Sequence, residues 1–270
     1  MSTIPKMPVP PPPPEAREPW PEIDRLRADA EMDLVLCPTW YAVGKVVLDY
    51  TVALTLLPIA FPVILLAALA VKLTSSGPAF YLQTRVGLGG RLFRIVKLRT
   101  MHRNCERHSG IKWAGKHDDR VTPLGKLLRR THIDELPQLF NVLLGQMSLV
   151  GPRPERPEVI KAKGLEELVP GYPHRLLVKP GVTGLAQVQL AADTDITSVR
   201  YKVVYDLYYV QQQGVLLDLR LVLATVAKVL GMKPTLIRRL FLLPTRQRLA
   251  QSFQGNLTAE HEPLTHLQPA

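Results

Sequence analysis

Cysteine is nearly absent from this 270-residue sequence. Only Cys37 and Cys105 occur, which excludes a disulfide framework and makes a reducing compartment the default. A structural zinc site is also poorly supplied. His102, Cys105 and His108 are evenly spaced by three, but such sites take four ligands, and besides His117 no further pair lies close. The basic-then-apolar start of a secretory signal is missing, so no cleavable leader is expected. Charge is missing altogether from Tyr50 to Val71, a run of 22 residues closed by Lys72. As a helix this run extends ~33 Å, close to the ~30 Å of a bilayer core. It is apolar all round, so it reads as a membrane segment over residues 44–73 rather than as an amphipathic core helix. Pro58 and Pro62 fall in its middle. Each removes a backbone donor, so a kink or break is expected there. Either the segment crosses the bilayer kinked, or it dips in and returns to the same face.

The charges that are present are uneven. The chain carries a net +11 and a pI near 9.8. Residues 1–44 hold four Lys/Arg against seven Asp/Glu, and the remainder is net +14. The basic part calls for an anionic partner, and the positive-inside rule places it in the cytoplasm. A nucleic-acid partner would account for the charge but not for the apolar segment, so none is expected. Nine of the 25 prolines lie in residues 1–22, with an unbroken run from Pro10 to Pro14. That stretch reads as a spacer without a core, followed by a short acidic helix over 23–36.

Alternation predicts strands over 79–86 and 91–98, joined by Gly87-Leu88-Gly89-Gly90 as a hairpin turn or a phosphate-cradling loop. Lys97 and Arg99 are two apart, so on a strand they share a side, as an anion site needs. The organising stretch runs from Arg129 to Gln138. Two arginines precede the adjacent carboxylates Asp134 and Glu135. A short helix then follows, with Leu136, Leu139, Phe140, Leu143 and Leu144 at helical spacing and Gly145 as its stop. Two readings stay open. Thr131 with Asp134 three residues on looks like a helix cap. Paired carboxylates beside fixed cations also suit phosphoryl chemistry, with one oxygen attacking, another holding a divalent metal and the arginines binding phosphate.

Further on, Pro152 and Pro154 stiffen the backbone around Arg153, which suits a planar fork that binds phosphate. Lys179 to Val188 reads as a glycine turn entering a short strand. Residues 199–211, with Tyr201, Tyr205, Tyr208 and Tyr209, have helical spacing. Residues 215–230 form an apolar helix carrying Asp218, Arg220 and Lys228. Residues 236–249 mix Leu, Ile and Phe with arginines, interrupted by Pro244, in the manner of a helix lying among headgroups, and the tail after Ala250 is polar.

Several of these motifs occur together in one order: Arg85-Val86-Gly87, Lys97 to Met101, Asp119 to Thr122, Arg129 to Asn141, Ser148 to Pro154, Lys179 to Val188 and Tyr205 to Tyr209. In this the chain resembles the bacterial sugar transferases that act as polyprenyl-phosphate phosphoglycosyl transferases, from about residue 44 to 230, in their small monotopic form. The resemblance implies an α+β, mostly helical fold. A membrane-embedded re-entrant N-terminal helix would carry a small cytoplasmic catalytic domain and interfacial amphipathic helices. The implied divisions are residues 1–40, a transferase domain over 41–232, and a basic segment with tail over 233–270.

The implied reaction moves a sugar-1-phosphate from a nucleoside diphosphate sugar, a UDP-sugar foremost, onto undecaprenyl phosphate. It would take place at the bacterial inner membrane, as the first step of exopolysaccharide or other glycoconjugate assembly. Asp134 would be the nucleophile and Glu135 the Mg2+ ligand. Lys97, Arg99, Arg129, Arg130 and Arg153 would bind phosphates and nucleotide. Inner-membrane lipids and a second copy of the chain are further expected partners. Leu98, Leu185 and residues 189–192 depart from the usual pattern, and no sugar is carried over. The competing expectation is an inactive membrane-anchored scaffold of a polysaccharide-assembly complex.

Overall fold

The computed structural model describes residues 39–103, 105, 118–169, 171–191, 193, 195–245 and 248–249. The proline-rich stretch, the acidic helix over 23–36, the His102/Cys105/His108 trio as a set and the tail after Ala250 lie outside them. The described chain is mostly helical, with two small two-stranded sheets.

Helix α1 (Thr39–Thr74) is long and apolar enough to cross a membrane. Of the expected kink or break, there is no break: helical backbone continues through Pro58 and Pro62. The two missing N–H groups leave the Leu54 and Pro58 carbonyls without their usual partners four residues on. One stripe of α1 is buried: Tyr41, Asp49, Ala53, Ala60, Ile64, Ala68 and Val71. These residues recur at three- and four-residue steps or their multiples, so they share a face. The alanines let the domain approach closely. Large apolar residues such as Leu54, Ile59, Phe61, Leu65, Leu66 and Leu69 stay exposed around the rest of the helix.

Polar ties hold α1 to the domain along its length. At the N-terminal end, Tyr41 Oη and Lys45 Nζ donate to Asp218 Oδ2 at 2.8 and 2.7 Å. Leu149 N donates to Asp49 Oδ1 at 3.0 Å. At the C-terminal end, Arg99 Nη2 donates to the Ser75 carbonyl at 2.9 Å, and Arg99 Nη1 to that of Ser76.

Strands β1 (Phe80–Val86) and β2 (Leu92–Leu98) form the expected antiparallel hairpin, pairing Phe80 with Leu98 and Val86 with Leu92. Its tip is a 3₁₀ turn with Gly89 and Gly90 at positive φ, and the Gly87 N–H bonds to the Arg91 carbonyl at 2.8 Å. This is the hairpin reading of the glycine run. Helix α2 (Pro123–Arg130) starts on a Thr122 cap. Helix α3 (Gln138–Leu143) ends before Gly145 at φ 70°.

Strand β3 (Ser148–Val150) pairs in parallel with β4 (Gly181–Thr183). A Cβ on Gly181 would stand 2.1 Å from Gly151 N, so only glycine permits that approach. The strand expected toward Val188 lies instead at β4. Residues beyond Gly184 turn into helix α6 (Leu185–Gln189), after helices α4 (Pro157–Lys163) and α5 (Leu165–Leu168) earlier in the chain. Helices α7 (Ile196–Gln212), α8 (Val215–Val229) and α9 (Pro234–Leu240) complete the packing. The interruption expected at Pro244 is present: α9 ends at Leu240, Leu242 takes φ 50°, residues 243–245 are irregular, and residues 248–249 are helical again. Tyr205 and Tyr209 are buried in the core, which is shared by α7, α8, β3 and α1.

Candidate active site

The acidic pair sits on a reversal. Helix α2 stops at Thr131, whose hydroxyl donates back to the Leu127 carbonyl at 2.9 Å. His132 then takes the left-handed conformation, φ 56°. That is uncommon for a residue with a side chain and is a form of strain that gathers at functional sites. Ile133–Glu135 follow as one 3₁₀ turn, with no side-chain cap on it or on α3. The capping reading of Thr131 and Asp134 is therefore wrong.

The turn aims the two carboxylates differently. Glu135 Oε1 accepts from Lys97 Nζ at 2.7 Å and from Arg153 Nη2 at 2.7 Å, and Oε2 is 3.4 Å from Arg153 Nη1. Against the burial that would raise it, the Arg153 and Lys97 charges hold Glu135 well below the ordinary carboxylate range. Burial lowers the Lys97 ammonium to about 8, with Glu135 opposing. Asp134 is 8% exposed. No hydrogen bond or ion pair among the described residues engages its carboxylate. Burial first, and the Glu135 charge second, push it up to about 6, while Lys97, Arg129 and Arg153 pull the other way. A buried carboxylate without a partner is unusual and calls for a reason.

The predicted binding residues divide. Lys97 and Arg153 meet at Glu135. Arg129 donates from Nε to Thr100 Oγ1 at 2.9 Å, and its charge is felt at Asp134. Arg130 is exposed on the last turn of α2. Arg99 is 8% exposed and spends its guanidinium on the end of α1. In this geometry it is an anchor of the apolar helix, since β2 ends at Leu98 and the chain turns toward that helix.

Residues not foreseen as site builders hold the Arg153 loop. Arg175 Nη2 donates to the Arg153 carbonyl at 2.8 Å and pairs with Asp206 Oδ2 at 2.6 Å. Both partners are almost fully buried. Arg85 Nη1 donates to the Pro154 carbonyl at 2.9 Å. The Glu155 carbonyl accepts from Val86 N at 2.9 Å. Its carboxylate pairs with Lys202, which also reaches Asp193 at 2.7 Å. On the other side, Asn141 Oδ1 accepts from Val96 N at 3.0 Å and its Nδ2 donates to the Arg94 carbonyl at 2.7 Å. That bond locks α3, and with it the acidic turn, against the strand that carries Lys97. The Tyr-Asp-Leu-Tyr-Tyr motif was the sequence signal for Asp206. Nothing in the local pattern marked Arg175.

An unpaired acid beside a second acid clamped by two cations is an arrangement that chemistry on phosphate esters can use. The chain belongs to the bacterial sugar transferase family, whose model matches residues 40–232. It is 46% identical over 192 residues to a UDP-glucose:undecaprenyl-phosphate glucose-1-phosphate transferase of Caulobacter vibrioides, covering 69% of each chain. It is 41% identical over 209 residues to a UDP-N-acetylgalactosamine-undecaprenyl-phosphate N-acetylgalactosaminephosphotransferase of Aeromonas hydrophila. That match covers 77% of this chain and 48% of the relative, so the chain spans about half that protein's length. The exopolysaccharide production protein PSS of Rhizobium leguminosarum is 41% identical over 203 residues, 74% of this chain and 97% of the relative.

Proposed function

We propose that the protein transfers a sugar-1-phosphate from a UDP-sugar to undecaprenyl phosphate, in two displacements through Asp134. The observation that carries this reading is the buried Asp134 carboxylate, unpaired among the described residues and adjacent to the Lys97–Glu135–Arg153 cluster. In the first displacement an Asp134 oxygen attacks the sugar-bearing phosphorus of the donor. The phosphoanhydride bond breaks, and nucleoside monophosphate leaves with the bridging oxygen. In the second, an oxygen of the lipid phosphate attacks the same phosphorus of the acyl phosphate. The carboxylate is returned, and the product is a polyprenyl diphosphate sugar. Lys97 and Arg153 can pass from Glu135 to phosphate oxygens as the donor enters.

The donor set suits Mg2+ carried in on the diphosphate, with Glu135 as its protein ligand, because Mg2+ commonly takes one or two carboxylates plus substrate phosphates. A dedicated cage of three or more such side chains is absent among the described residues. When bound, Mg2+ neutralises the diphosphate and eases departure of the leaving group. The test is nucleoside monophosphate release from a panel of UDP-sugars, with and without undecaprenyl phosphate. Release with none of them contradicts the reading, and the inactive-scaffold alternative would then stand.

The same assay has a predicted pH profile. Asp134 must be ionised to attack, so kcat/KM should climb about tenfold per pH unit below about 6. Lys97 must stay charged to hold phosphate, so activity should fall again above about 8. A flat profile from pH 5 to 7 would remove Asp134 from the attacking role.

For the membrane, both ends of α1 are tied to one folded domain, at Asp218 and at Arg99. This supports both ends of α1 lying on one face of the bilayer, with the domain in the cytoplasm, because a full span would part the two ends. With Cys37 and Cys105 changed to Ser, Ala30→Cys and Glu260→Cys should both resist an impermeant thiol reagent in cells with a permeabilised outer membrane. Both should label after lysis. Labelling of position 30 alone in unlysed cells would establish a span instead.

A further inference from the structure

Most interior cations of this domain have a carboxylate. Lys97 and Arg153 share Glu135, Lys202 has Glu155 and Asp193, Arg175 has Asp206, and Lys45 has Asp218. Lys228 does not. It lies in the last turn of α8, half-buried, and no carboxylate among the described residues pairs with it. Its Nζ donates to the Gln187 carbonyl of α6. An ammonium has three donors, so two remain free of any described protein acceptor.

Its position is set by the parallel pair. Thr225, one turn earlier on α8, meets Thr183 at the end of β4 through their hydroxyls at 2.6 Å. Strand β3 ends beside β4 and leads through Gly151 directly to Arg153. Lys228 and the Arg153 loop therefore both adjoin the carboxyl ends of the two strands, where ligands gather in parallel sheets. Along α8, Lys228 shares the inward face with Leu221 and Ala224, while Leu219, Leu223, Val226 and Leu230 are exposed on the opposite face. The lysine thus points into the domain, away from the open apolar stripe. Its charge is felt at His132, on the acidic turn, and the Arg153 charge is felt at Lys228 in turn. A half-buried cation with spare donors and no counter-ion is open to an anion that reaches it.

We infer that Lys228 binds a phosphate group in this site. The inference rests on the phosphoryl-transfer reading above and adds a cation to it. Two phosphate sources meet here, the donor diphosphate and the acceptor lipid phosphate, and both carry the chemistry that Lys228 would recognise.

Direct binding tests it without requiring turnover. The full chain and its Lys228→Met and Lys228→Arg variants are titrated with UDP and Mg2+ by calorimetry. They are then titrated with undecaprenyl phosphate in lipid nanodiscs. Loss of one charged hydrogen bond should weaken one ligand about ten- to a hundredfold in Lys228→Met, and Lys228→Arg should recover most of it. Weakened UDP identifies the donor phosphate, and weakened lipid with intact UDP identifies the acceptor phosphate. Either outcome supports the inference. Unchanged affinity for both ligands in a folded Lys228→Met, checked by its thermal midpoint, overturns it. Should that variant fail to fold, Lys228→Gln takes its place under the same criteria. A wild-type chain that binds these ligands but turns over no donor contradicts the proposed function and leaves the role of Lys228 decided by the titrations.

Discussion

Asp134→Asn is expected to lower turnover by about a thousandfold or more, the scale on which removal of an enzymic nucleophile acts, while leaving the protein more stable. The two effects have one cause. The folded protein holds this carboxyl at about 6, above the ordinary aspartate value of 3.8. Between those values the folded state binds more protons than the unfolded chain, so stability falls as pH rises through the window. Above pH 6 the buried charge costs on the order of 3 kcal/mol, and an amide removes that cost. Thermal midpoints at pH 7.5, measured beside the activity assay, check both halves. A destabilised Asp134→Asn with activity intact would mean that the carboxylate serves the fold. The opposite pairing, with activity lost and stability gained, is the signature of a group kept for chemistry at the expense of stability.

The second large effect is expected at Asp206. Asp206→Asn leaves the Arg175 guanidinium buried without its counter-ion. Breaking a buried pair in this way costs roughly 3–5 kcal/mol. The thermal midpoint should fall by roughly 10 °C, given the usual scaling for a domain of this size. Arg175 also donates to the Arg153 carbonyl, so the pair reaches the site through the loop it supports. Replacing both members, as Arg175→Met with Asp206→Leu, should recover much of the stability, because no lone charge remains. Donor affinity should nevertheless be weak in the double variant, because Arg175→Met removes the donor to the Arg153 carbonyl. Denaturant unfolding together with KM for the donor separates these outcomes. Recovery of both quantities would mean that the pair acts on stability alone.

How much of this was legible in the sequence differs by element. The hairpin was readable because alternation over residues 79–98 and a glycine tip are local signals. The apolar helix was readable as a segment but not in its course. Proline chemistry predicts a kink or a break, and a long helix packed along one stripe carries the backbone past two lost hydrogen bonds without breaking. The acidic pair stood out by adjacency and by its resemblance to the family motif. The rejection of capping needed the left-handed His132, which no pattern marks. Strand β4 was displaced from its expected place because three residues are too few to show a period.

Lys97 and Arg99 share a strand face in principle. In the fold only Lys97 is still on the strand at that point, and Arg99 lies beyond its end, at the foot of α1. Arg175 was invisible as a site builder, since its role depends on long-range packing that brings it from a distant turn to the Arg153 carbonyl. Asp206 was half-visible, present in a motif that had no assigned role.

Covalent carriage of the sugar-phosphate by Asp134 can be read from intact-protein mass after mixing the enzyme, Mg2+ and the donor that releases nucleoside monophosphate, with no lipid present. A mass gain of one sugar-phosphate, mapped to Asp134 and discharged on addition of undecaprenyl phosphate, is the expected result. Turnover with intersecting-line kinetics, and no adduct under rapid quenching, would mean that both substrates react in one complex and that Asp134 is not the nucleophile.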